Sequence, residues 1–342
     1  MARDLLSTPD ATDRPRDVAV SDTWLSTENH LVALARRASR LPRLWLTLVV
    51  GTAMIVLGAL LFGLPVFLAT YALTGQPPRS WSESFADSAV RSGLYQTVAL
   101  VVSFAGVYVI VWVWLRWYER RPFWTVGFER DGAIRKALRG GVVGLLMLGG
   151  AVALMAAVGY AAPEDGPPQL QGPPAVPGVL IALLGWAVQG PAEELVCRGW
   201  MLPVLAARYR LWVGVLVSSV FFAVFHGVNP NLTPIAGLNL VLYGVFAALY
   251  ALREGGLWGI GAQHAAWNWA QGNLFGLEVS GIEPAGGMLI NLMETGPDEV
   301  TGGAFGPEGG LAITLVLLAS IVVLLAVDRS GVAPSRTGSF EA

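Results

Sequence analysis

Eight apolar stretches, most of them near the twenty residues a helix needs to cross the hydrocarbon core of a bilayer, set what this chain can fold into. They run Leu44–Leu73, Leu94–Leu115, Gly140–Ala161, Gly178–Leu205, Leu211–His226, Pro234–Leu252, Leu257–Phe275 and Gly310–Val327. The fifth is short and is expected to be tilted or buried. Only 13% of the 342 residues are charged, against about 25% in a soluble domain, so composition agrees with a membrane protein. The expected fold is all-α: a polytopic bundle of about eight transmembrane helices.

The basic residues orient this bundle. With the amino terminus in the cytoplasm, nineteen of the 22 lysines and arginines fall on the inner side. Arg3, Arg14, Arg16, Arg36, Arg37, Arg40 and Arg43 lie before the first span, and a second group from Arg116 to Arg139 lies in the second connection. Arg208, Arg210, Arg253, Arg329 and Arg336 complete the inner set; Arg79 and Arg91 fall outside and Arg198 lies within a span. The positive-inside rule therefore predicts both termini in the cytoplasm. The expected organisation is a polar tail over 1–42, with a basic surface helix near Leu31 to Arg43, a helical membrane domain over 43–330, and a tail over 331–342. A Gly-, Pro- and acid-rich outer loop covers Gly276 to Gly309. Cys197 is the only cysteine, which excludes an internal disulfide. The GxxxG spacing of Gly140 and Gly144 reads as a helix contact.

Against this apolar background the run Pro191-Ala192-Glu193-Glu194-Leu195-Val196-Cys197-Arg198 stands out. Each charge at a bilayer centre costs roughly 2.5–3.5 kcal/mol, so the group must pair or face a cavity. Glu194 and Arg198 are four residues apart and stack on one helix face, acid first. Glu193 points about 100° away and has no such partner. Pro191 frees the Ala187 carbonyl and favours a kink beside the acids, and Gln189 adds a polar group four residues before Glu193. Of three histidines, His226 ends the fifth span and His264 lies in the seventh, four residues before Asn268. His30 is expected to be solvated. Cys197, one turn from Glu193, reads as a small packing residue.

A lone histidine within a membrane is more often a hydrogen-bond partner than a catalyst. Together, however, Glu193, His226, His264 and Asn268 offer what amide hydrolysis requires: a base for water and donors for a developing oxyanion. Neither a Gly-x-Ser-x-Gly elbow nor a Gly-x-Gly-Asp aspartyl motif lies on a span.

The order EExxxR, FxxxH, HxxxN on successive spans resembles the CAAX protease and bacteriocin-processing (CPBP, Abi/Rce1-like) family of intramembrane endopeptidases. The matches are Glu193-Glu194 with Arg198, Phe222 with His226, and His264 with Asn268, in a core of about 178–275. The resemblance implies that Glu193 and His226 activate water, that His264 and Asn268 hold the oxyanion, and that Glu194 and Arg198 are structural support. The substrate it implies is a hydrophobic or lipidated peptide or protein at the membrane, with membrane lipids and no nucleic acid as partners. The family has been called metalloproteases, and Glu193, His226 and His264 form a donor set of the kind zinc accepts; the HExxH helix is missing, and a metal-free reaction stays open. Two other classes share these features: a non-catalytic membrane scaffold or immunity protein, and a proton-coupled transporter. Arginine-rich, lysine-poor usage suggests a bacterial plasma membrane.

Overall fold

The computed structural model describes residues 24–75 and 85–327. Expectations that fall on Arg3, Arg14, Arg16, Arg79, Arg329, Arg336 and both chain ends lie outside them. The described chain is all-α apart from one short strand pair. Its helices are α1 (His30–Ala35), α2 (Leu44–Thr74), α3 (Ala89–Trp114), α4 (Ala133–Ala157), α5 (Val176–Glu194), α6 (Leu202–Arg208), α7 (Leu211–Phe225), α8 (Pro234–Glu254), α9 (Trp258–Trp269), α10 (Asp298–Thr301) and α11 (Leu311–Ala326). Wider π-helical turns follow α3 (Leu115–Glu119), join α5 to α6 (Leu195–Met201) and follow α9 (Ala270–Leu274).

Among the described residues, six helical stretches are long and apolar enough to cross a membrane: Leu44–Thr74, Ala89–Glu119, Ala133–Ala157, Pro173–Arg208, Leu211–Val228 and Pro234–Glu254. The chain is thus an integral membrane protein. The other two expected spans are helices too, but shorter. Leu311–Ala326 has 16 residues. α9 carries Gln263, His264 and Asn268, all buried, and so needs the bundle around it rather than lipid. The third span also begins earlier than its apolar run, at Ala133. Arg135, Lys136 and Arg139 therefore sit in the first turns of α4, not in a connection.

α9 is the hub. It packs against α4 on one side and α5 on the other, while α3 packs on α5 and α2 on α3. Small residues permit this closeness. A Cβ at Gly140 would fall 1.9 Å from the Gly259 carbonyl oxygen, and one at Gly144 would fall 2.4 Å from that of Gln263. The expected Gly140/Gly144 helix contact is therefore the α4–α9 seam. α7, α8 and α11 pack in series on the other flank.

Before the first long helix, α1 is not a basic surface helix. Leu31, Val32, Leu34 and Ala35 are buried, and Asn29 donates from Nδ2 to the Leu252 carbonyl at 2.8 Å. His30 Nε2 lies 2.5 Å from Glu129 Oε2, so it is exposed but paired. At the other end, β1 (Ala161–Pro163) pairs antiparallel with β2 (Leu292–Glu294), Ala162 opposite Met293. This pairing ties the long 276–309 loop to the segment that follows α4.

Candidate active site

The site begins where α5 touches α9. A Cβ at Gly190 would lie 2.7 Å from the Ala265 nitrogen, so only glycine allows the backbones to meet there. One turn later come Glu193 and Glu194, beside His264. The helix continues through Pro191, and its bonding widens to the π pattern at Leu195. Such wide turns recur at functional sites because they re-aim side chains.

The 100° offset between neighbouring residues separates the two acids as expected. Glu194 turns inward: its carboxylate meets Arg198 Nη1 at 3.1–3.2 Å, and both side chains are fully buried. Arg198 also donates from Nη2 to the Gly244 carbonyl at 3.2 Å and stacks its guanidinium 4.7 Å from the Phe222 ring centre. Glu194 is more than half of an ion pair. Its Oε1 also lies 2.9 Å from His264 Nδ1, joining support to the imidazole.

Glu193 turns the other way, into a cavity. Gln189 Nε2 donates to its Oε1 at 2.8 Å. Its Oε2 is buried with no hydrogen-bond partner, while His264 Nε2 stands 3.8 Å and His226 Nε2 4.0 Å away. Ring tautomers follow from the partners on the far side. His226 Nδ1 faces the Phe222 carbonyl at 2.9 Å, and a carbonyl only accepts, so Nδ1 carries the proton. The ionised Glu194 imposes the same on His264. With a single proton on the ring, each imidazole therefore presents its Nε2 lone pair toward one carboxylate oxygen. Three acceptors facing one gap call for a proton donor between them, and a water molecule supplies two protons.

The fourth expected residue, Asn268, lies one turn beyond His264. Its Nδ2 donates to Gln189 Oε1 at 2.9 Å, so Gln189 bridges Asn268 and Glu193. One Nδ2 hydrogen stays free. Glu193, His226, His264 and Asn268 all line one cavity of about 560 Å³, and Cys197 lines it as well. Apolar side chains from α2, α3, α7 and α11 form much of the remaining wall, including Ile55, Phe104, Phe225 and Leu317.

A metal fits less well. A tetrahedral zinc at 2.0–2.2 Å from its ligands holds their donor atoms about 3.3–3.6 Å apart. Here the separations from Glu193 Oε2 are 3.8 and 4.0 Å. Among the described residues no three His, Cys, Asp or Glu side chains are gathered as a metal site. The zinc alternative finds no support in this geometry.

The 276–309 loop is part of the cavity, a role its sequence did not reveal. Ser280, Ile282, Glu283 and Glu308 line the cavity. Glu308 accepts from Trp267 Nε1 at 3.2 Å and from the Ser280 hydroxyl at 2.6 Å. Asn273 holds the loop from α9's side, donating to the Ala285 and Gly287 carbonyls at 2.7 and 2.9 Å. Asn229 and Asn231, which follow α7, donate to the carbonyls of Ser280 and Ala304. The only hint in the sequence is the cluster of amides on the elements beside the loop, Asn229, Asn231, Gln271 and Asn273.

Farther along the loop, burial pushes the Glu294 carboxyl up to about 8, and the nearby Glu278 and Asp298 charges add to the rise.

Comparison with known proteins converges on the same segment. Residues 175–270 match the family model described as type II CAAX prenyl endopeptidase Rce1-like. Over 118 residues the chain is 35% identical to an uncharacterized 24.3 kDa protein of Escherichia coli, covering 34% of this chain and 50% of that one. The chain thus spans about half the length of this curated relative. No solved structure matches it significantly. The matched segment contains Glu193, Glu194, Arg198, His226, His264 and Asn268, and over residues 175–270 the chain is similar to the Rce1-like type II CAAX prenyl endopeptidases.

Proposed function

We propose that this chain is an intramembrane endopeptidase that hydrolyses a peptide bond in a hydrophobic or lipid-modified peptide or protein. The observation that carries this reading is the partnerless Glu193 Oε2, faced at 3.8 and 4.0 Å by two imidazole nitrogens inside a 560 Å³ cavity. Water held between Glu193 and His226 loses a proton to Glu193 as its oxygen bonds to the carbonyl carbon. The carbonyl π electrons move onto oxygen, where the free Asn268 Nδ2 hydrogen stabilises the charge. His264 joins Asn268 at the oxyanion in molecules whose Nε2 has taken a second proton from bulk solvent before substrate binds, with Glu194 as counter-ion. Collapse breaks the C–N bond, and the proton passes from Glu193 to the leaving amine.

The apolar walls suit a hydrophobic substrate segment, and the family match over this core supports the reaction class. Arginine asymmetry supports an orientation with both ends in the cytoplasm, and composition supports a bacterial plasma membrane. Glu193→Gln keeps the shape and removes the base. Its expected effect on cleavage of a membrane peptide library is a loss of about 10²–10⁴-fold. Unchanged cleavage by folded protein would refute the mechanism.

A further inference from the structure

We propose that the cleft between α4 and α5, on the reverse side of the catalytic helices, binds an anionic phospholipid of the surrounding bilayer. The acyl chain lies in the cleft and the headgroup at Lys136.

α4 and α5 both pack on α9, and between them runs a second cavity of about 690 Å³. Its walls are small and apolar: Ala137 and Gly141 from α4, Ala187 and Pro191 from α5, Ala262 and Ala265 from α9. No carboxylate or base lines it. Leu145, on its edge, is exposed; within a membrane such a face meets hydrocarbon, and a chain that fills the cleft removes apolar surface from an unfilled void.

One end of the cleft is aromatic and cationic. Phe128 and Trp258 meet edge-on with ring centres 5.0 Å apart, and both line the cleft. Lys136 Nζ would stand 3.8 Å from a Cβ at Gly256, two residues before Trp258, so the chain's only lysine sits at this rim. Among the described residues, Arg135 and Lys136 in the first turn of α4 make no ion pair, nor do Arg120 and Arg130 of the preceding connection, whereas Glu129 is engaged by His30. Of the two other acids there, Glu119 is engaged by Arg121 and Asp131 is the second. An apolar slot that ends under unpaired cations, with aromatic rings at the headgroup level, matches a lipid with a negative headgroup.

The test is native mass spectrometry of the full chain in detergent with added dioleoylphosphatidylglycerol or dioleoylphosphatidylcholine. Its readout does not depend on hydrolysis, so it stands or falls apart from the peptidase reading. Wild type should retain phosphatidylglycerol preferentially. Lys136→Gln should lower that retention roughly fivefold, the factor one surface cation contributes, and leave phosphatidylcholine unaffected. Gly141→Leu places a side chain where no atom lies within 4 Å, so the fold tolerates it. It should cut retention of both lipids by about tenfold or more, the worth of two displaced methylenes. Ala137→Leu is the second block should Gly141→Leu melt early. Equal phosphatidylglycerol retention by wild type and both cleft variants, or by wild type and Lys136→Gln, overturns the proposal. So does preferential retention of an S-alkylated peptide that the cleft variants abolish, which would make the cleft a substrate site.

Discussion

Two carboxylate–guanidinium pairs are fully buried among the described residues, and they differ in what is left over. Glu119 and Arg121 meet at 2.6 Å after α3. The remaining Glu119 oxygen accepts from Trp114 Nε1 at 2.9 Å and Trp200 Nε1 at 2.6 Å, while Arg121 also binds Thr125. That carboxylate is saturated and locks α3 to the π turn after α5. The Glu194–Arg198 pair instead passes one oxygen to His264, which faces a neighbour, Glu193, with an unused oxygen on a cavity. Burial and pairing are alike at both places. Only the second keeps unspent hydrogen-bonding capacity beside open space, and that remainder is what chemistry can use.

This contrast can be broken most directly at His226. His226→Ala removes a ring whose protein bond is to its own helix, so cleavage should fall about 10²–10⁴-fold with the melting temperature retained. A large loss of melting temperature would make His226 structural and erase the distinction. Next come the two acids themselves. Glu119→Ala and Glu194→Ala each strand a buried guanidinium and should cost about 3–5 kcal/mol of stability, read from denaturation in detergent. Their kinetics should part: folded Glu119→Ala protein keeps its kcat, and folded Glu194→Ala protein loses it because His264 is released.

Sequence reading reached these two pairs unequally. Glu194 and Arg198 were legible because an i, i+4 ion pair within an apolar span has no bland solvent-facing reading. Glu119 and Arg121 lie in a run of basic residues at a span's end, where charges are ordinary, and the tryptophan that completes the site is 81 residues away in sequence. Similarly, the motif spacings pointed to the four residues of the cavity and their separate helices, since helical periodicity fixes faces. They could not show that Glu194 binds His264, or that the 276–309 loop closes one wall, because both depend on contacts between distant segments. Span counting is least decisive where polar groups intrude: α9 carries buried Gln263, His264 and Asn268 and is shorter than the six long apolar helices.

A smaller effect sharpens the contrast within the cavity. Gln189→Leu leaves Glu193 Oε1 and Asn268 Nδ2 without their partner, each in a buried position. It should cost about 1–3 kcal/mol and lower kcat by roughly tenfold, with KM little changed. A change confined to KM would place Gln189 in substrate binding instead.

The smallest expected effect on cleavage lies in the loop, where stability is the readout. Because the folded-state pKa of Glu294 is raised from 4.5 to about 8, the folded chain holds that proton more tightly than the unfolded chain between those values. Its contribution to stability is complete below about 4.5 and is lost as pH rises toward 8. Melting curves from pH 5 to 9 should therefore show a downward slope that Glu294→Gln flattens. An identical slope in both proteins would exclude Glu294 as its origin.

The wide turn from Leu195 to Met201 has a consequence for the whole bundle. It stands between Glu194 and Trp200, the anchors of the two buried pairs. Winding the same residues as an ordinary α-helix would swing everything downstream by about 100°. Trp200 would leave Glu119 while Glu194 stayed beside His264. That irregular stretch acts as a phase-setter, letting one continuous rod satisfy two polar appointments that no regular helix of the same length could keep together.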